Sequence, residues 1–409
     1  MEFGFTEEQE KLRKELHDFY LSELPEDFEP DASPSHVSSA GMNEESNSFW
    51  MALQKKAGTK GYLTPGWPKE YGGLGFTSIE QGIVQEEESY SGVLWPNLVG
   101  YHLAGPATIL FGTEEQKKEF IPPITRGDTI WMQAFTEPEA GSDEANMQCR
   151  AVEDGDDYVL NGQKTFISGK YKPDYLFTEA RTLDVTPKHR GLSLFLIPAD
   201  TPGITYHPLP TMGAGLQNEI FFDDVRVPKK YLLGELNRGF YHAMAAFEFE
   251  RAGCGGATRA KRSLEDFVQF CKEEKRNGKP LIEDPEIRKT LAQLAVEVEV
   301  WRLTAWYAQW WFGQREKLGP KPYDLTGFFT KIFSTRHAEA MMRTLGLYGQ
   351  LKAGSKWAKL AGRIDHSWQT ARSLHGGGTF EIYKVVIAQR GLGLSRPPRP
   401  AAAKSEENQ

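Results

Sequence analysis

The spacing of apolar residues in this chain changes character twice. Up to about residue 130 it follows a helix, and from 131 to about 235 short β-branched and aromatic runs take over, punctuated by Gly and Pro. From about 238 the helical period returns and holds to about 392. A two-residue and a 3.6-residue repeat present different faces to a core, so each change marks a change of layer. The order predicts an α+β multidomain chain. Its parts are an α-helical domain over 1–130, a small all-β domain over 131–237 and a bundle of long helices over 238–395. The segment 396–409 is Pro-rich and then polar, and is expected to be disordered.

Local signals fill in this outline. Thr6 with Gln9 and Thr113 with Gln116 are capping boxes that open helices. Residues 31–48 read as a solvated loop, with helix resuming at Phe49. Further helices are expected over 78–89, 96–111 and 113–121. In the middle region Asn161-Gly162, between Tyr158-Val159-Leu160 and Gln163–Ser168, is a hairpin signal. The runs Leu192–Ile197 and Glu219–Val225 are strand-like. Long helical stretches are expected over 285–317 and 323–350. There Trp301, Trp306, Trp310 and Trp311 read as core or subunit packing.

Composition narrows the function classes. A length of 409 residues with 39% hydrophobic and 25% charged content describes a globular enzyme with a sizeable core. A net charge of -8 argues against a general nucleic-acid binder. No apolar run approaches the roughly 18 residues of a membrane span, and no leader is apparent, so a cytoplasmic location is expected. Cys149, Cys254 and Cys271 lack close spacing, which fits a reducing compartment without a disulfide framework or zinc site. The nine histidines include no i, i+4 pair, so no histidine metal site is expected.

The run Thr136-Glu137-Pro138-Glu139-Ala140-Gly141-Ser142-Asp143 follows the apolar stretch Ile130–Phe135. Such a turn puts backbone N–H groups and a hydroxyl at a strand end. It reads either as an ordinary loop or as a corner for the polar edge of a cofactor. The segments around it favour the corner. They are Trp67-Pro68-Lys69-Glu70-Tyr71-Gly72-Gly73-Leu74-Gly75, Phe111–Lys117, Asn161–Ser168, Phe222–Pro228, Glu250-Arg251 and Gly377–Ile382. With these motifs in this order, the chain resembles the acyl-CoA dehydrogenase family over about residues 5 to 395.

The resemblance implies a helical domain, a small β-barrel and a four-helix bundle, with FAD held non-covalently between barrel and bundle. Carried over by position, Phe135, Thr136, Gly141 and Ser142 lie along the flavin and its ribityl chain. Phe166 and Ser168 cover the other side, and Gly378, Thr379 and Glu381 meet the cofactor near the Gly loop. Ser142, Arg251 and Gly377 fall on the substrate side. A flavin needs an apolar face and a few fixed donors to tune its electronics.

The implied chemistry is α,β-dehydrogenation of an acyl-CoA thioester. A desolvated carboxylate takes the α-proton, helped by donors aimed at the thioester oxygen. Many family members carry that carboxylate immediately before the Gly-Thr of the C-terminal motif, where this chain has Gly377. A smaller group carries it on the first long helix of the C-terminal domain, before an Arg. Here that pair is Glu250-Arg251, which makes Glu250 the expected base. Glu248 is the near competitor, about 200° away on a helix.

The stretch Glu274-Lys275-Arg276-Asn277-Gly278-Lys279-Pro280 departs from the family pattern, in which an Arg reaches a neighbouring subunit's FAD pyrophosphate. Arg276 is one substitute. Arg343 is another, with a purely structural pairing as its alternative. The departures resemble a bacterial branch acting on branched, cyclic and steroid side-chain acyl-CoAs, some of whose members pair an active with a degenerate subunit. An acyl-CoA substrate, an electron-transfer flavoprotein and a homotetramer or heterotetramer are the implied partners, with no nucleic acid and no membrane. The competing readings are an oxygen-using oxidase or monooxygenase of the same fold and a redox-silent scaffold subunit.

Overall fold

The computed structural model describes residues 4–25, 28, 44–93, 95–169, 173–212, 215–251, 253–319, 323–372 and 376–395. The expected tail at 396–409 lies outside them, as does 31–43 of the expected loop. Glu250 and Arg251 are described as helical backbone alone.

Helices α1 (Glu7–Glu23), α2 (Glu44–Thr59), α3 (Ser78–Tyr90), α4 (Gly105–Phe111) and α5 (Glu114–Thr125) build the N-terminal part. Thr6, Thr77 and Thr113 close capping boxes at α1, α3 and α5. In each, the hydroxyl accepts from the third helical N–H while that residue's side chain accepts from the threonine N–H. Thr77 with Glu80 adds to the two boxes expected.

Three boundaries differ from expectation. Helix α2 begins at Glu44, inside the stretch read as loop. Glu44 and Glu45 favour a helix N-terminus, and Trp50 and Leu53 bury the following turns. Helix α5 runs past Ile121 through Pro122 and Pro123, because Ile124 is anchored in the core and the Thr125 hydroxyl donates back to the Ile121 carbonyl. The expected 96–111 helix contains a π-turn at Gly100–Ala104, where the Gly105 N–H reaches the Gly100 carbonyl ahead of Pro106.

Strands β1 (Trp131–Ala134), β2 (Arg150–Asp154), β3 (Asp157–Ser168), β4 (Tyr175–Arg181), β5 (Leu192–Pro198), β6 (Ile204–Thr211), β7 (Gly215–Pro228) and β8 (Leu232–Leu233) form one sheet. Its order is β6-β7-β3-β2-β4-β5-β8, with β1 pairing parallel to β4. Asn161-Gly162 is not the expected hairpin turn. Strand β3 runs through it with a register shift between Leu160 and Gly162, and the β2–β3 hairpin turns at 155–156. A Cβ on Gly162 would stand 2.7 Å from the Cys149 Cα, so a side chain is excluded where β3 crosses its neighbour.

The bundle follows: α6 (Gly239–Arg251), α7 (Gly255–Glu273), the short pair β9 (Lys275–Arg276) and β10 (Lys279–Pro280), α8 (Pro285–Gly313), α9 (Arg315–Leu318), α10 (Tyr323–Leu345), α11 (Arg363–Arg372) and α12 (Phe380–Val386). Helix α8 packs on α7 and α10, and α10 on α11 and α12. Among the described residues no helix is long and apolar enough to cross a membrane.

Strand alternation divides the sheet between two cores. Trp131, Phe177, Leu194 and Leu196 join the N-terminal helices and Ala243 and Ala246 of α6 in one. Met132, Leu176, Phe195 and Ile197 join Ile220, Val225 and Val227 in the other. Burial on both faces explains why β5, but for Ser193, reads as an apolar run. A third core lies within the bundle, around Phe267, Leu294, Val298 and Met341.

Candidate active site

The corner after β1 is held from beneath by a buried ion pair. The Lys164 ammonium donates to the Glu137 carboxylate at 2.8 Å and to the Phe135 carbonyl at 3.0 Å. Glu137 also accepts from the backbone N–H groups of Gln148 at 2.5 Å and Cys149 at 2.9 Å. Glu137 and Ala140 bond to each other through both backbone groups, at 3.0 and 3.1 Å. Glu137 is therefore structural, and the corner above it keeps one shape.

The outer side of that corner carries Thr136, half-buried, and Gly141, Ser142 and Ser168, all exposed. A Cβ on Gly141 would meet nothing within 4 Å. Phe135 is buried, its ring 5.2 Å from Phe177 and 6.0 Å from Phe247. The Thr165 N–H bonds the Thr136 carbonyl at 2.8 Å and ties β3 to the corner.

Phe166 is the sharpest signal here. Its φ is +57°, in the left-handed region, and its ring is 56% exposed. A bulky residue at such a φ costs about 1–2 kcal/mol. It is held there by the register shift between Lys164 and Ile167 in the β3–β7 pairing. An aromatic ring kept in the open at a costly angle, next to Thr165, which bonds the Thr136 carbonyl of the corner, fits the planar face of a flavin.

Helix α6 joins this corner to a cavity. Phe247 meets Phe135 of the corner, whereas Phe249 lines the cavity and packs 5.9 Å from Phe312. Successive helical residues turn by about 100°, so position 250 lies about 60° from the Phe247 direction and about 100° from that of Phe249. By helical phase, position 250 falls between the Phe247 and Phe249 directions on one side of α6, and position 248 falls between them on the other.

The C-terminal Gly loop is fixed to the bundle. Gly377 and Gly378 have φ of +66° and +95°. The Tyr383 hydroxyl donates to the Gly377 carbonyl and the Lys331 ammonium to the Gly376 carbonyl, each at 2.7 Å. Thr379 caps α12 by accepting from the Ile382 N–H, and Glu381 is exposed on its first turn. Arg276 sits on a hairpin, not a helix, and donates to the Thr344 carbonyl at 2.7 Å, which sets it beside Arg343 at the end of α10. Phe328, stacked on Phe380, lies fifteen residues earlier on α10, so the arginines and the Gly loop are roughly 22 Å apart along that helix.

The cavity, about 230 Å³, lies between the N-terminal helices and the bundle. Its walls include Trp67, Trp95, Phe249 and Phe312, with Glu88 of α3 and Tyr101 and His102 of the π-turn. The Trp95 indole N–H donates to Glu88 at 2.9 Å, and burial lifts that carboxyl to about 7 despite this bond and the charge of Arg259. Burial lowers His102 to about 4, so its imidazole is neutral at physiological pH. The sequence reading missed these residues. The available signal was the helix phase within Glu86-Glu87-Glu88, which is resolved only once neighbouring helices are in place.

Comparison with known proteins follows the same three-part order. The family models described as Acyl-CoA dehydrogenase, N-terminal domain, middle domain and C-terminal domain match residues 6–128, 132–225 and 237–392. Acyl-CoA dehydrogenase FadE26 of Mycobacterium tuberculosis is 31% identical over 408 residues, 98% of this chain and 100% of that protein. The solved Tcur3481-Tcur3483 steroid ACAD has a TM-score of 0.86 at 30% identity, covering 97% of this chain and 100% of that one. The ChsE4-ChsE5 complex from Mycobacterium tuberculosis has a TM-score of 0.83 at 29% identity, covering 97% and 100%.

Proposed function

The chain belongs to the acyl-CoA dehydrogenase family, an oxidoreductase acting on a CH–CH bond, and from that premise we propose that Glu250 is the base that opens the reaction. What supports the proposal is helical phase: Phe247 of α6 meets Phe135 of the corner, Phe249 lines the cavity, and position 250 falls between those two directions. A carboxylate there takes the α-proton of a thioester whose acyl group fills the cavity. The usual alternative position holds Gly377, which has no side chain to act.

FAD, when bound, supplies the acceptor for the β-hydride. Phe135, Thr136, Gly141, Ser142, Phe166 and Ser168 hold it on the sheet side, and Gly378, Thr379 and Glu381 on the bundle side. Arg276 on the β9–β10 hairpin and Arg343 near the end of α10 serve the diphosphate of a neighbouring subunit's cofactor. Ser142, Arg251 and Gly377 border the thioester. Electrons leave to an electron-transfer flavoprotein.

A partner subunit is supported by α8. Val296, Val300, Leu303, Tyr307 and Trp310 recur along one face of that helix and are 43% to 60% exposed. The steroid and heteromeric relatives suggest a branched, cyclic or steroid-derived acyl group and a homo- or heterotetramer.

The test is Glu250→Gln in the flavin-loaded protein. The flavin absorbance should persist while turnover of acyl-CoA falls by on the order of 10³. Near-normal turnover would move the base elsewhere, with Glu248 the next candidate.

A further inference from the structure

Three successive glutamates on α3 have different surroundings. Glu86 accepts from Arg13, Arg302 and the Trp306 indole, and Glu87 pairs with Arg13 and His17. Glu88, about 100° further round the helix, leaves that network and lines the cavity. The Trp95 N–H is its hydrogen-bond donor at 2.9 Å, and no ion pair within 4.0 Å reaches it among the described residues. Desolvation raises the Glu88 carboxyl from 4.5 to about 7, which favours a protonated form able to donate.

Other polar groups on the cavity wall are also underused. Among the described residues the buried Thr64 hydroxyl has no hydrogen-bond partner, and the buried Tyr101 hydroxyl has only Asn97 beside it, short of a well-shaped bond. His102 joins them as a neutral imidazole, both donor and acceptor. Buried hydroxyls that are poorly hydrogen-bonded are costly, and a purely hydrocarbon ligand would leave them so. A carboxylate would meet repulsion from ionised Glu88. Arg315, the cation among the described lining residues, lies over Phe249 and Phe312, at 5.3 and 4.5 Å from the ring centres.

We propose that the wall formed by Glu88, Tyr101, His102 and Thr64 recognises an uncharged oxygen, a hydroxyl or ketone, carried by the acyl group beyond its β-carbon. This rests on the reading of the cavity as the acyl site and names a substrate class within it. Such an oxygen can accept from protonated Glu88 or Tyr101 and, as a hydroxyl, donate to His102 or Thr64.

The experiment uses full-length, flavin-loaded protein and matched acyl-CoA esters: a cycloalkyl acyl group, its ring ketone, its ring alcohol and its ring carboxylate. kcat/KM is measured with a ferrocenium acceptor, and binding by calorimetry. The ketone or alcohol should exceed the hydrocarbon by at least about tenfold in both measurements. Glu88→Leu should erase that ratio, Glu88→Gln should keep most of it, and Tyr101→Phe should reduce it severalfold at nearly constant volume. Equal or better use of the hydrocarbon by wild type, a preference for the carboxylate, or an unchanged ratio in both Glu88→Leu and Tyr101→Phe overturns the proposal. Flavin reduction by every ester without preference defeats this inference alone. If no ester reduces the flavin, the dehydrogenase reading fails, and the calorimetric ratio still decides what the wall binds.

Discussion

The corner after β1 and the cavity each hold a glutamate, buried in the corner and half-buried in the cavity, and they treat it in opposite ways. Glu137 under the corner accepts from Lys164, Gln148 and Cys149. Glu88 in the cavity has the Trp95 N–H, and its carboxyl is pushed up to about 7. A closed polar network holds one geometry, as a cofactor cradle requires. An incompletely satisfied one is tolerated where a ligand completes it.

The largest effect should come from opening the closed network. Lys164→Met leaves the Glu137 carboxylate buried without its cation and should cost about 3–5 kcal/mol in urea unfolding. Adding Glu137→Leu to that variant should recover part of the loss. A cost below about 1 kcal/mol for Lys164→Met would remove the distinction between the two regions.

The cavity should respond to pH. Burial raises Glu88 from 4.5 to about 7, so the folded chain binds this proton more tightly than the unfolded chain. The stabilisation is fully present below about pH 4.5 and is lost as pH rises through about 7. Relative to wild type, Glu88→Gln should therefore gain about 1–3 kcal/mol between pH 4.5 and pH 8, less than the full shift implies because the group borders an open cavity. Thermal unfolding at the two pH values checks this, and parallel curves would count against it.

The smallest stability effect is expected at Phe166. Phe166→Gly relieves the positive φ, so stability should change by no more than about 1 kcal/mol, in the stabilising direction. Flavin affinity, followed by fluorescence titration, should nevertheless fall about tenfold. Unchanged affinity would make the ring a bystander.

Two Asn-Gly pairs show how far local sequence reaches. Asn277-Gly278 turns the β9–β10 hairpin with both residues at positive φ, +54° and +82°. Asn161-Gly162 carries the same local preference, yet there β3 continues straight through it. The difference is tertiary. At 161–162 the chain is paired with β2 and β7 on either side, and those ladders outweigh the turn. The helix starts at Thr6 and Thr113 were legible because a capping box is complete within four residues. The cavity was not, because its wall draws on three distant stretches: 62–106, Phe249 and 309–315.

By itself the sequence determined what depends on neighbours along the chain: the order of helical, β and helical regions, the caps and the corner after β1. Only the tertiary structure decided which of Glu86, Glu87 and Glu88 enters an ion network and which faces the cavity, and that Phe166 stands exposed at a strained angle. Capping and periodicity are short-range energies written in adjacent residues. Helix phase against a neighbour, strand register and desolvation arise only when distant segments pack together.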